Sequence, residues 1–137
     1  MHAHRPSKLD LVRSVCAAWE EGDFTDAEWA DPEIEFAFAD GPAPAQWSGV
    51  AAMRAAWLDY LSNWQDVRVA VDEYRELDDE RVLVLIREHG RGRTSGLEVS
   101  QLQARGANLF HVRKGKVIRL VLFLDRDRAL AELDLKD

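Results

Sequence analysis

The chain has 137 residues, 25 acidic and 18 basic side chains and a formal net charge of −7, which disfavours nucleic-acid phosphates and anionic membrane surfaces as partners. Its single cysteine, Cys16, excludes an internal disulfide, and it has neither an apolar run near the ~18 residues of a membrane-spanning helix nor an apolar export segment at its start. We therefore expect a cytoplasmic protein of one domain over residues 1–137, with an ordered core from about residue 9 to residue 133.

The first part of the chain predicts two helices. Apolar residues recur at helical spacing from Leu9 to Trp19, after Ser7 as a candidate N-cap, and Gly22 closes the pattern. The run T-D-A-E that follows has the spacing of a capping box. It predicts a short second helix over residues 25–30, which the next proline would stop.

Residues 33–39 alternate in polarity, which predicts a strand. Its two faces carry Ile34, Phe36 and Phe38 on one side and Glu33, Glu35 and Ala37 on the other. A loop over residues 40–45 follows. The apolar stripe that begins after Ser48 and includes Trp57 then predicts another helix.

The rest of the chain has a period of two, which is typical of strands. The four segments that show it are residues 67–76, 81–89, 97–112 and 116–124. The K-G pair before the last segment suits a two-residue hairpin, because glycine tolerates a positive φ. Asp125 is a candidate cap for a helix over residues 126–133. Helices followed by a strand meander predict an α+β fold.

Four features of this chain resemble the SnoaL-like group of the nuclear-transport-factor-2-like superfamily, which also includes ketosteroid isomerase. They are W-E-E-G-D at 19–23, A-D-P-E-I-E at 30–35, the middle helix, and the ending G-K-V-I-R, F-L-D-R and A-L. The resemblance extends from about Leu9 to Leu133. It implies a cone, in which a curved and mostly antiparallel sheet wraps around the N-terminal and central helices and leaves an interior pocket.

The resemblance also implies what covers the last strand, which is apolar on both sides. One set of its side chains packs against the helices and the pocket. The other set, which we expect to include Val117, Val121 and Phe123, packs against a second subunit in a homodimer. The alternative is that the outer face is covered by the chain's own loops or carries scattered exposed apolar groups, which singly need no explanation.

The catalytic residues of the best-understood relatives are not matched here. The aspartate base of ketosteroid isomerase corresponds to Ala37, and its tyrosine donor corresponds to Val15. The acid/base aspartate of the polyketide cyclases corresponds to Leu122. None of these three side chains can transfer a proton, so the sequence argues against both the isomerase mechanism and the cyclase mechanism.

Two polar residues are candidates for other chemistry. Glu35 shares a face with Ala37, so we expect it in the interior, where burial raises the pKa of a carboxyl and makes it a general acid or base. The alternative is a solvated or ion-paired glutamate. Asn108 corresponds to the protonated aspartate of ketosteroid isomerase, and an amide donates a hydrogen bond without a shifted pKa. The alternative is an asparagine that satisfies backbone groups at a bulge beside Gly106.

Other residues predict a ligand rather than a reaction. Trp19 and Trp57 on the core faces of their helices, together with Leu122, would line a pocket for a flat, largely apolar small molecule, although core filling explains the tryptophans as well. Arg87 and His89 share one face of their strand, opposite Glu88, and either reach the pocket or lie outside. The histidines lack the spacing of a metal site, so we expect neither a metal nor a cofactor.

Three functions fit these observations. The first is an isomerase, cyclase, dehydratase or hydrolase that uses Glu35 and Asn108. The second is a module that binds a small apolar molecule without reacting it, and the third is an interaction domain that uses the outer face of the sheet. An enzyme requires both residues to face one cavity, whereas an interaction domain has a filled interior and an exposed apolar sheet.

Overall fold

A computed structural model describes residues 7–24, 27–40, 44–62, 64–92 and 101–135. These residues form helices α1 (Lys8–Glu20), α2 (Val50–Leu61) and α3 (Arg126–Glu132), and strands β1 (Ala30–Phe38), β2 (Ala45–Ser48), β3 (Trp64–Glu76), β4 (Arg81–Gly92), β5 (Gln101–Arg113) and β6 (Lys116–Phe123). The predicted α+β class is confirmed. The predicted start of a strand at residues 97–100 lies outside the described residues.

The six strands form one sheet in the order β2-β1-β6-β5-β4-β3. All neighbouring strands are antiparallel except β1 and β6, which are parallel. Helices α1 and α2 pack on one face, which we call the inner face, and α3 packs on the other, the outer face. Register shifts in β3 and between β5 and β6 bend the sheet, so that its inner face encloses the two long helices.

Local signals in the sequence explain the ends of the elements. The Ser7 hydroxyl accepts a hydrogen bond from the Asp10 N–H at 3.0 Å and so caps α1. Asp125 caps α3 in the same way through the N–H of Asp127, also at 3.0 Å. The turn between β5 and β6 has a positive φ at both central residues, of which the second is Gly115. Both predicted caps and the predicted hairpin are therefore confirmed.

The predicted second helix is wrong. Residues 25 and 26 lie outside the described part of the chain, and residues 27–29 lead through a turn into β1, which begins at Ala30. The cause is tertiary, because the carbonyl of Trp29 accepts a hydrogen bond from the N–H of Val117 at 2.9 Å. This bond ties the segment to β6, and the pairing with the sheet overrides the local capping signal.

The faces of β6 change at a bulge. Val117 pairs with Val112, but Arg119 pairs with His111, so Ile118 is an extra residue in β6. The bulge turns Val117 to the inner face, where it is fully buried. Its predicted place in an outer subunit interface is therefore wrong.

Val121 and Phe123 do lie on the outer face, as predicted. They are only 6% and 4% exposed, because α3 covers this part of the sheet with Ala129 and Leu130. At these two residues the chain itself covers the outer face of the sheet, as the alternative to a subunit interface proposed. The cover is a helix rather than a loop.

Strand β5 has no bulge at Gly106. Its pairing with β4 runs without a shift from Gln101 to His111, so Asn108 faces the same side as Phe110, the inner one. Glycine serves another purpose at this position. A Cβ atom there would lie 2.7 Å from the carbonyl oxygen of Phe123, so the close approach of the two strands requires its absence.

Candidate functional site

Aromatic side chains form a cluster within the apolar core of the inner face. The ring centres of Trp19 on α1 and Trp57 on α2 lie 5.6 Å apart, and that of Phe110 on β5 lies 5.8 Å from that of Trp19. Phe24 and Phe36 contact Trp57 at 5.8 Å and 6.0 Å. The cavity left between these rings measures about 20 Å³, which is room for about one water molecule. Around the tryptophans the inner face is therefore a packed core.

A buried polar pair adjoins this aromatic cluster. Glu88 on β4 is in phase with Val84 and Ile86, so it faces inward, and it is 7% exposed. The hydroxyl of Tyr60 on α2 donates a hydrogen bond to Glu88 Oε2 at 3.0 Å. The Tyr60 ring stacks on Trp57, with the ring centres 5.9 Å apart. A carboxyl and a phenol are thus held together against an apolar wall.

The surroundings of the pair control its protons. Burial raises the pKa of the Glu88 carboxyl above its ordinary value of 4.5, and the hydrogen bond from Tyr60 opposes this shift. Burial likewise raises the pKa of Tyr60, and the Glu88 carboxylate raises it further. Tyr60 therefore stays a hydrogen-bond donor, while Glu88 is a group that can hold or release a proton.

Asn108 lies on the same face but at a different level. It is 3% exposed and lies between Val84 on β4 and Leu122 on β6. Glu88 is four residues further along β4 than Val84, roughly 13 Å at ~3.3 Å per residue. Asn108 and Glu88 therefore share the inner face without forming one pair, and a ligand would have to span the distance to contact both.

Glu35 is not in the interior. On β1 the residues that face inward are Ile34, Phe36 and Phe38, whereas Glu35 is exposed on the outer face beside Arg119. The predicted orientation is wrong because alternation defines two faces but does not say which is inside. The predicted pair of Glu35 and Asn108 is split between opposite sides of the sheet.

The other predicted contacts divide between the two faces. Trp19, Trp57 and Leu122 are buried on the inner face, and their contact with a ligand stays a prediction. Arg87 and His89 are exposed on the outer face, so of the two alternatives they lie outside rather than reach the pocket. The Arg87 Nε atom lies 2.9 Å from Asp72 Oδ1 on the neighbouring strand. Neither residue reaches the interior.

Sequence reasoning missed Glu88, although the sequence holds a signal for it. In the strand R-V-L-V-L-I-R-E-H, both alternating sets of side chains are apolar before the charged end. Glu88 continues the set of Val82, Val84 and Ile86, which proves to face inward. An acid in phase with buried aliphatic residues was the clue, and only the location of the helices shows that this set is the inner one.

Other kinds of site find little support in the described chain. Burial raises the pKa of the Cys16 thiol to about 12, which leaves it a poor nucleophile. Within the described ranges, no three histidine, cysteine, aspartate or glutamate side chains come together as metal ligands. No helix there is long and apolar enough to cross a membrane.

Solved structures with low sequence identity share this fold. TerC, co-crystallised with polyporic acid, is 18% identical with a TM-score of 0.70, over 92% of this chain and 96% of its own. An NTF2-like protein of unknown function from Burkholderia pseudomallei is 15% identical, with a TM-score of 0.71, over 90% and 95% of the two chains. A protein with a ketosteroid isomerase-like fold from Catenulispora acidiphila, in complex with trimethylamine, is 13% identical, with a TM-score of 0.69, over 93% and 94%.

At these identities the likeness shows the fold alone. No curated protein matches the chain. The family model of the SnoaL-like domain matches residues 12–120, which is most of the chain and includes most of α1, all of α2 and the greater part of the sheet. The chain therefore belongs to the SnoaL-like domain family and has the nuclear-transport-factor-2-like fold.

Proposed function

We propose that the protein binds a small, largely apolar molecule on the inner face of its cone, and that Glu88 is the acid–base group of that site. One observation carries this proposal: a carboxyl that is 7% exposed accepts a hydrogen bond from Tyr60, whose ring stacks on Trp57. Burying a carboxyl costs free energy, and groups with shifted pKa values cluster at functional sites.

The pair suits reactions that move a proton on a small molecule. Protonated Glu88 donates a hydrogen bond, or its proton, to a carbonyl or hydroxyl oxygen of the ligand. The carboxylate that remains is stabilised by the hydrogen bond from Tyr60. The same carboxylate then takes a proton from another atom of the ligand. Isomerases, cyclases and dehydratases use such steps, and Glu88 rather than Glu35 has the buried position they need.

The relatives support a small-molecule ligand. One protein of this fold was crystallised with polyporic acid and another with trimethylamine. The alternative within the same site is a module that binds its ligand without reacting it. In that case Glu88 selects the ligand by a hydrogen bond and no turnover occurs.

The homodimer stays a prediction. Val121 and Phe123 are already covered by α3, so substituting either one with a charged residue would disrupt the fold as well as an interface. Sedimentation equilibrium of the unmodified chain is the cleaner test. A dimer has twice the monomer mass of 15.6 kDa at micromolar concentration, and a constant monomer mass would contradict the prediction.

A fragment screen by ligand-observed NMR tests the inner site. The set contains small aromatic ketones, phenols and amines, each with a purely hydrocarbon analogue. We expect Glu88→Gln to weaken binding of the polar fragments and to leave the hydrocarbons unaffected. Glu35→Gln is the matched control, since it makes the same change on the exposed outer face. Equal binding by the two variants, or no binding to the unmodified chain, would refute the proposal.

A further inference from the structure

The outer face carries a groove that the inner site does not explain. It measures about 580 Å³ and lies between α3 and the strands β1, β6 and β5. Its floor includes Ala37, Leu109 and Val121, and Leu133 beyond α3 forms part of one wall. Small-molecule sites commonly measure ~300–1,000 Å³, so the groove is large enough for an organic ligand.

Small side chains on β1 create this space. Ala37 pairs with Val121, and Val121 pairs with Leu109, so the three form one apolar row across neighbouring strands. Helix α3 covers the next row, which contains Phe123 and Leu85, with its own apolar side chains. At Ala37 there is only a methyl group to fill the space beside the helix. The floor of the groove is therefore mainly the half-buried Ala37 and Leu109, and Val121 reaches it only at the edge of the helix, where it is 6% exposed.

A row of charged side chains borders the floor. Arg119 pairs across the sheet with Glu35 on one side and with His111 on the other, and His111 pairs with Arg81. Arg119 and Arg81 both line the groove. Glu132 is the one acid that lines it within the described chain, and Arg128 already binds its carboxylate at 3.3 Å.

Arg81 and Arg119 differ in whether an acidic side chain already neutralises them. The Arg81 Nε atom lies 2.7 Å from Asp78 Oδ2, so that guanidinium is partly neutralised. Arg119 is exposed and forms no ion pair with the part of the chain that the structure describes. Its guanidinium has the planar set of donors that matches a carboxylate. An anion at the edge of the groove would therefore meet an unpaired cation.

We propose that this groove is a second binding site, for a small amphipathic carboxylate. The apolar part of the ligand lies on Ala37, Leu109 and Val121, and Arg119 binds its carboxylate with help from Arg81. The sheet separates this site from Glu88, so the proposal stands independently of the inner site. A second copy of the chain fits less well, since α3 already covers Val121 and Phe123 and little flat apolar area remains for a partner.

A fluorescent fatty acid tests the proposal. The probe is 11-(dansylamino)undecanoic acid, and its methyl ester is the matched neutral ligand. We expect the acid to bind the unmodified chain more tightly than the ester. Arg119→Gln weakens binding of the acid about tenfold and leaves binding of the ester unchanged, because one charge-assisted contact is lost. Arg105→Gln, which removes an exposed arginine of β5 outside the groove, changes neither.

Two further variants locate the site. Ala37→Leu fills the floor, so we expect it to block both the acid and the ester. Glu88→Gln leaves both unchanged if the probe binds outside the cone. The proposal is overturned if the acid and the ester bind alike, if Arg119→Gln behaves like Arg105→Gln, or if Glu88→Gln abolishes binding. It is also overturned if sedimentation shows a dimer that Ala37→Leu dissociates, because a second copy then occupies the groove.

Discussion

Glu88 illustrates how one buried group links stability to function. Its carboxyl is buried and retains the Tyr60 hydroxyl as a hydrogen-bond partner. Desolvation favours the neutral acid, so the raised pKa follows from the fold itself and needs no ligand. Such an acid can act as a donor at a pH where an exposed glutamate is already a carboxylate.

The raised pKa of Glu88 predicts a pH-dependent stability. The folded chain binds this proton more tightly than the unfolded chain does. The bound proton on Glu88 therefore stabilises the folded state fully below the unfolded-state pKa of this carboxyl, near 4.5. This stabilisation is lost as the pH rises through the pKa of Glu88 in the folded state. We expect the free energy of unfolding of the unmodified chain to fall relative to Glu88→Gln, by up to about 1.4 kcal/mol per pH unit in that window.

Urea titrations at several pH values above 4.5 measure this difference. Glu35→Gln is the matched control, because it makes the same change of side chain on the exposed outer face. Tyr60→Phe removes the bond that holds the Glu88 pKa down, so the trend should extend to higher pH. A difference between Glu88→Gln and the unmodified chain that does not vary with pH would show that the carboxyl is not desolvated.

A buried cation adds polar contacts to the apolar packing of helix α3 on the sheet. Arg126 is 6% exposed and donates to the carbonyl of Ile86 at 2.8 Å and, more weakly, to that of Gly106 at 3.4 Å. It also binds Asp72 Oδ2 at 2.7 Å and lowers the pKa of that carboxyl. Asp72 is the extra residue of a bulge in β3, since Val71 and Glu73 pair with consecutive residues of β4.

Arg126→Met should therefore destabilise the fold by about 2–4 kcal/mol, because it leaves the carbonyl groups and the Asp72 carboxylate without a buried donor. Arg128→Met is the matched control in the same helix. Arg128 is half exposed, and within the described chain its one ion pair is with Glu132 one turn away, so its loss should cost less than about 0.5 kcal/mol. Urea denaturation compares the two, and similar losses would contradict the role given to Arg126.

The sequence predicted elements with a strong local signal and failed where distant pairing decides. Helix α1, the final hairpin and α3 each have a cap or a turn glycine, and all three were predicted. The capping signal at residues 25–28 is overridden, because residues 27–29 lead into β1 and the carbonyl of Trp29 accepts a hydrogen bond from Val117. Strand β2 was missed because four residues give little periodicity, and it forms by pairing with β1. The bulge at Ile118 leaves no sequence pattern, so the face of Val117 was predicted wrongly.

The candidate site was harder to predict than the fold. Alternation separated Glu88 from Arg87 and His89 but did not show which set faces the helices. The same ambiguity put Glu35 inside. Once α1 and α2 are assigned to one face, the faces of all four side chains are determined: Glu88 lies inside, and Glu35, Arg87 and His89 lie outside. The chemistry of a sheet residue thus depends on contacts that only the assembled fold supplies.

The core between the two long helices and the sheet contains a cluster of aromatic rings, and their packing sets how much room a ligand has there. Trp57 contacts several rings and borders the small inner cavity. Trp57→Ala should cost about 3–5 kcal/mol and leave a cavity. Added indole should raise the melting temperature of this variant by more than that of the unmodified chain, because the variant offers it more room. No effect of indole on either would argue against an inner face that accepts aromatic ligands.

Carbon-13 NMR of the Glu88 side-chain carboxyl tests the proposed inner site most directly. The signal, assigned by its absence in Glu88→Gln, is followed through a pH titration with and without a polar fragment that binds. We predict a midpoint above 4.5 in the free protein and a further change in midpoint when the fragment is bound. A midpoint of an ordinary glutamate, or a Glu88 signal indifferent to the fragment while residues around Ala37 and Leu109 respond, would contradict an acid–base site on the inner face.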